Sequence, residues 1–364
     1  FNIPLKQKNR GEISWYNPYI PYRTREIWPN QSTSLRAGNE TTDVLILRYK
    51  AREHQATVNK DSVWVGITSS LYSGDYDQTQ SKFFEIWLNG SSGKLSIDLG
   101  KISEDMDGNN YLNTEDIPAA GLTLGNGFLE DNEDTGIDGC FSDTEDGWGG
   151  CLNSGTYAEL LSQNSLLINS SSDVDPADPN GDNWYYEQGS SDYSRLNGTE
   201  GNGTGNKIQE GGKYPDTEDL DRSTFLDKTN DYFSASFDLT DTTYLAGETV
   251  KNGQPTGWRL FRIPLYDFKS VKNIEWNEIR YVRLAITDFD NNFSTLAIAK
   301  MEIVGNEWQE MGILSSDSLL YDEIEPSFQV AVINTEANAD YTPPKGVKGE
   351  YDILNEIRSK EQSL

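Results

Sequence analysis

The sequence predicts an all-β protein: an antiparallel jelly-roll-like (galactose-binding-like) sandwich interrupted by a long acidic, loop-rich insertion with one or two short helices. Three observations predict it. Segments that alternate apolar and polar residues lie on both sides of a long polar stretch. The composition is rich in Tyr (19), Phe (13), Trp (9) and Gly (32), and long helical periodicities are few.

The elements follow in chain order. Residues 1–40, with "WYNPYIPYRTREIWPN", predict an ordered but irregular N-terminal arm. Residues 41–102 carry the first half of the sandwich. Val63, Val65, Ile67 and Leu71 share one face, as do Phe84, Ile86 and Leu88. Leu95, Ile97 and Leu99 alternate with Lys94, Ser96 and Asp98. Residues 103–228 form the Asp/Asn/Gly-rich insertion. Within it, Thr156 and Glu159 have capping-box spacing ahead of an apolar run and predict a short helix, while the Gly-rich stretch 197–206 is expected to be disordered. Residues 229–308 carry the second half. Phe233, Ala235, Phe237 and Leu239 alternate with polar partners, and Ala297, Ala299, Met301 and Ile303 are expected to line the inner face. Residues 309–364 hold a strand near Phe328 to Asn334 and a tail predicted as a weak amphipathic helix or an extended linker.

Charge narrows the partners. Fifty-nine acidic residues against 30 basic ones give a net charge of -29, which argues against nucleic acid as a ligand, because phosphate contact needs a basic surface, and disfavours an anionic membrane. Metal cations, basic partners or plain solubility fit it. Cys140 and Cys151, in "CFSDTEDGWGGC", are read as an extracytoplasmic disulfide closing a small loop, with two free thiols as the alternative. A zinc site is poor, because His54 is the sole histidine and lies elsewhere. No signal peptide and no apolar run near eighteen residues is present. A chain that starts on Phe1 is read as a processed product or an excised segment.

The acidic stretches carry the metal expectation. A twelve-residue loop from Asp105 would offer Asp107, Asn109, the Tyr111 carbonyl, Asn113 and Asp116, oxygen ligands of the kind calcium takes. Its sixth position is Asn110, not Gly, and its twelfth is Asp, not Glu. An ordered calcium turn and a solvated acidic loop both stay open. Further clusters offer Asp131, Glu133, Asp134 and Asp138; Asp173, Asp175, Asp178, Asn180 and Asp182; and Asp216, Glu218, Asp219 and Asp221. Structural calcium is the expected cofactor, since backbone without a core needs an organiser.

Catalysis finds little support: there is no nucleophile elbow, P-loop or His-based metal motif. A two-carboxylate glycosidase needs only a pair that nothing singles out. Trp15, Trp28, Trp148, Trp184 and Trp258 could stack on sugars, although packing is the commoner use. The residues alone therefore favour a secreted calcium-dependent carbohydrate-binding or adhesion module.

A resemblance redirects that reading. "REIWPN", "FFEIWLNG", "GKLSIDLGKISED", "EDTGIDG", "LNGTEGN", "YPDTEDLDR", "WRLFRIPL", "IRYVRLAITDF" and "NEIRSKEQSL" occur in this order. The chain resembles the SprA/Sov family, giant outer-membrane translocons of the type IX secretion system that also support gliding motility. The resemblance implies a non-catalytic, extramembrane portion of a bacterial outer-membrane β-barrel, facing the cell exterior, with residues 309–364 leading towards the barrel. Its implied partners are secretion-system accessory proteins, exported cargo and the rest of the barrel. The stretch "AREHQATVNKDS" and the cysteine loop depart from the family pattern.

Overall fold

The computed structural model describes residues 9–29, 41–52, 62–71, 75, 77–106, 108–118, 120, 122, 125–127, 133, 135, 136, 138–182, 191, 215–305, 333, 334, 351, 352, 357, 358, 362 and 363. The elements in chain order are β1 (Glu12–Tyr16), β2 (Tyr22–Arg23), α1 (Thr24–Ile27), β3 (Thr41–Thr42), β4 (Leu45–Lys50), β5 (Trp64–Ser70), β6 (Phe83–Asn89), β7 (Lys94–Lys101), α2 (Tyr157–Ser162), β8 (Asp231–Asp238), β9 (Leu245–Lys251), β10 (Gln254–Pro264), β11 (Lys269–Val271), β12 (Tyr281–Thr287) and β13 (Ser294–Val304). Short pairs β14 (Ile333–Asn334) with β17 (Gln362–Ser363), and β15 (Tyr351–Asp352) with β16 (Ile357–Arg358), follow.

Two antiparallel sheets face one another. One runs β1-β4-β13-β6-β10-β9 and the other β11-β8-β7-β12-β5. Period-two alternation supplies the layer between them. Phe84, Ile86 and Leu88 of β6 meet Leu95, Ile97 and Leu99 of β7 and Phe233, Ala235 and Phe237 of β8 in one buried cluster. Each large apolar side chain enclosed there contributes about 1.5–3 kcal/mol. The fold is an all-β antiparallel sandwich.

The outer face of the six-stranded sheet holds a second core. Ile27 and Trp28 fold across it onto Val44, Ile46, Trp87, Trp258 and Leu260. Trp28 meets Trp87 edge-on at 5.9 Å, and Tyr22 meets Trp258 edge-on at 5.7 Å. Thr249 Oγ1 donates to the Ile27 carbonyl at 2.6 Å, fixing the arm to β9.

Two expectations change. The arm contains an edge strand, β1, because "EISWY" alternates and sets Ile13 and Trp15 against the main core. The expected inner face of β13 is divided by a register shift between Ile298 and Lys300. Ala297 and Ala299 pack on the outer cluster, whereas Leu296, Ile298 and Ile303 pack on the inner one. The extra residue of a bulge reverses which parity faces the core. Met301 is exposed. Of the strand expected near 328–334, only Ile333 and Asn334 lie within the described residues; His54, Trp184 and the stretch 197–206 lie outside them.

On the outer face of the five-stranded sheet Asp98 is buried rather than solvated. Its register partner Arg283 donates Nε to Asp98 Oδ2 at 2.8 Å and lies 4.8 Å over the Tyr232 ring. Asp98→Ala would leave that guanidinium enclosed without its charge partner. Urea unfolding is expected to register a loss of about 3–5 kcal/mol; a loss below about 1 kcal/mol would show that solvent reaches the pair.

A carboxylate-organised insertion as the candidate functional site

The excursion begins and ends at one place. Lys101 and Asp231 are register partners at the end of the β7–β8 ladder, so residues 102–230 leave and rejoin the sheet side by side. Near the end of β7 the strand passes close to β8 at Gly100 (φ +152), where a Cβ would lie 2.6 Å from the Asp231 carbonyl. Apolar content is small: Tyr157, Ile168 and Val174 form one satellite core around α2. As the spacing predicts, α2 opens on a capping box in which Thr156 Oγ1 accepts from Glu159 N–H and Glu159 Oε2 from Thr156 N–H.

Buried carboxylates do the organising that an apolar core does elsewhere. Glu104 accepts N–H groups from Leu220, Asp221 and Asp227 and the Tyr281 hydroxyl. Glu115, fully buried, accepts from Thr135, Gly136 and Asp216. Glu218 accepts from Met106 and Asn113. Loop amides removed from water need acceptors, and each bond to an ionised group contributes about 1.5–3 kcal/mol. Burial raises the Glu104 pKa, an effect that its bonds from Asp227 and Tyr281 oppose.

The loop from Asp105 uses its oxygens locally. Asp105 accepts from Gly108 N–H, Asn109 from Tyr111 N–H and Asn113 Oδ1 from the Asn109 amide. Asp116 accepts from the N–H groups of Asn126 and Gly127. Tyr111 is exposed, and Asn110 takes the left-handed conformation (φ 68) that the turn requires. Asp107, Asp131 and Asp134 lie outside the described residues. Asp219 and Asp221, which approach Glu104, accept the N–H groups of Ser223 and Thr224.

The densest gathering lies between residues 138 and 182. Cys140 and Cys151 form the expected disulfide, with Cα atoms 5.7 Å apart. Inside its loop Glu145 is fully buried, and one of its oxygens lies within 4.8 Å of one oxygen each of Asp178 and Asp182. Asn180 ties the group together. Its N–H donates to Glu145 Oε2 (2.6 Å), its Nδ2 to Asp138 Oδ2 (2.5 Å), and its Oδ1 accepts from Gly149 N–H (2.9 Å). Arg52, just beyond β4, donates to the carbonyls of Gly147 (2.9 Å) and Asn180 (3.1 Å), mooring both loops to the sandwich. Gly136 lies directly against Asp182, where a Cβ would come 2.4 Å from the carboxylate carbon. Glu145 Oε1 and both Asp182 oxygens are enclosed and have no hydrogen-bond partner among the described residues.

Burial pushes these acids up, with repulsion from neighbouring carboxylates adding to it: Asp138, which the Cys140 N–H holds back, to about 6, Glu145 to about 8, and Asp182 well above the carboxylate range. The guanidinium of Arg10 opposes the rise at Asp138 and Asp182. Of the predicted ligands, the structure brings Asp178 and Asp182 together with Glu145, and Asp138 is joined to them through Asn180. Asp173 accepts from the Ser171 hydroxyl and Asp175 from the Ala177 N–H, while Glu133 is buried and is not one of the carboxylates gathered around Glu145. Glu145 was not among the predicted ligands; its signal was the acidic run inside the cysteine loop. Among the tryptophans offered as a sugar platform, Trp28 and Trp258 are in the outer core and Trp15 packs on the main one.

Two outcomes follow from this geometry. Glu115→Ala deprives three loop amides of their acceptor and is expected to cost about 1–3 kcal/mol or more, measured as faster hydrogen exchange at Thr135, Gly136 and Asp216; unchanged exchange would refute the scaffold role. In chelator, Glu145 is protonated in the fold up to about pH 8 but ionises near 4.5 when unfolded. Its contribution is therefore complete below pH 4.5 and lost as pH rises through 8. Exchange protection of 138–151 and 175–182, corrected for intrinsic rates, should fall across that window.

A family model for SprA_N, described as a motility related/secretion protein, matches residues 182–364, which include β8 to β13. No curated protein matches the chain.

Proposed function

This chain belongs to the SprA_N family of motility related/secretion proteins, and on that footing we propose that it is a non-catalytic, extramembrane domain of an outer-membrane protein-secretion translocon. In this reading it serves type IX secretion and gliding motility, shaping or capping the pore through which folded cargo leaves. The family match is the observation that carries it.

The geometry supports an extramembrane position. The alternating strands spend one face on the inner core, and the six-stranded sheet spends its other face on the arm core around Trp28, so these strands do not offer the lipid-facing band of a barrel wall. No helix among the described residues is long and apolar enough to cross a membrane. The disulfide fits an oxidising compartment at the cell exterior. A pore-mouth element works by excluded volume and protein contact, which requires that its loops hold their shape. Carboxylate-bound amides and the Arg52 mooring supply that stiffness. Accessory proteins and cargo are the partners this surface would meet, and the barrel would be encoded by flanking sequence.

Excision tests the reading. Because Lys101 and Asp231 are register partners, residues 103–228 can be replaced by a short turn in the full-length translocon. The expected result is reduced release of cargo and a leakier pore with the sandwich retained. Normal secretion through a pore that still closes would overturn it.

A further inference from the structure

We propose that Glu145, Asp178 and Asp182 form a binding site for one calcium ion, held between the disulfide loop and the 175–182 loop. Acidic clusters are common on a chain of charge -29, and acidity is not what singles this one out. Glu145 is fully buried, and its Oε2 is fixed by the Asn180 N–H while its Oε1 has no partner among the described residues. Both oxygens of Asp182 are likewise enclosed and accept no hydrogen bond from the described residues. Three enclosed carboxylate oxygens accept no hydrogen bond from the described residues, and Glu145, Asp178 and Asp182 each bring one oxygen to within 4.8 Å of the others, an arrangement that calls for an electropositive occupant.

Chemistry narrows the occupant to a hard cation. The donors are all oxygen, and the nearby cysteine sulfurs are joined in the disulfide. Calcium takes oxygen ligands at about 2.3–2.6 Å, so opposed ligands stand roughly 5 Å apart, as this group allows; magnesium demands a tighter octahedron. Asp138 stands behind the ligands. Its oxygens are engaged by Cys140 N–H and the Asn180 amide, so it orients Asn180 and adds negative charge. Glu145, Asp178, Asp182, Asp138 and the neighbouring Asp146 are set against the guanidiniums of Arg10 and Arg52, leaving an excess that a divalent ion neutralises. The backbone is shaped to the site, since Gly136 (φ +65) leaves room for the Asp182 carboxylate where any side chain would collide with it. The ion would link two loops that Arg52 already ties to the sandwich.

Calorimetric titration of chelator-treated chain with calcium, with magnesium in parallel, tests this. One calcium per chain is expected, bound at least about tenfold more weakly by Glu145→Gln and Asp182→Asn and with unchanged affinity by Asp116→Asn. Stability should invert: in chelator Glu145→Gln unfolds at higher temperature than the parent, and in calcium at lower temperature. Should a variant fail to fold, exchange in the parent chain decides, with calcium expected to protect 138–151 and 175–182. Absence of calcium binding, loss of binding in Asp116→Asn alone, equal affinity in all variants, or protection confined to other segments would each overturn the site.

Discussion

Everything in this molecule hangs on the ladder between β7 and β8. Eight register pairs, from Lys94 with Asp238 to Lys101 with Asp231, join strands separated by residues 102–230. Closing a loop of that length costs roughly 4 kcal/mol beyond a constant term, and the alternating core beneath the ladder must offset it. Leu95, Ile97 and Leu99 against Phe233, Ala235 and Phe237 do so. With that ladder in place the sandwich is continuous and the excursion has a fixed base. Without it the five-stranded sheet loses its centre, because β7 also pairs with β12.

The excursion solves a different problem. It is too polar to bury its backbone under hydrocarbon, so it buries carboxylates and brings the backbone to them. Glu104, Glu115 and Glu218 each receive amides from segments far apart in sequence, as in the pairing of Glu115 with Asp216. A hydrophobic core is indifferent to direction, whereas a carboxylate with two or three donors specifies where each strand of loop must run. Acidity inside the fold is thus positional, and the solvated remainder keeps the surface charged.

Much of the sandwich was legible in the sequence. Period-two alternation placed Val63, Phe84, Ile86, Leu95 and Phe233 on the inner face, where they lie, and Thr156 with Glu159 announced α2. The arm was not legible in the same way, because Ile27 and Trp28 have no periodic neighbours and are buried by what they cover. Nor was the bulge in β13, since one inserted residue leaves the composition unchanged while reversing the parity. In the insertion the difficulty was selection. Sequence offers many acids with equivalent turn-forming neighbours, and only three-dimensional closure distinguishes Asp105, which caps its own turn, from Glu145, which is sealed inside the cysteine loop.

Side-by-side departure and return also fixes how the excursion bears mechanical load. A pull on it reaches the sheet at Lys101 and Asp231 together, at the same end of two antiparallel neighbours. That is an unzipping geometry, in which hydrogen-bond pairs are loaded one after another instead of in parallel. The edge near Gly100 yields first, while the pairs near Lys94 and Asp238 are spared until the others have opened. Arg52, bonded to the carbonyls of Gly147 and Asn180, takes tension by a second route, so the ladder is shielded for as long as that strut holds.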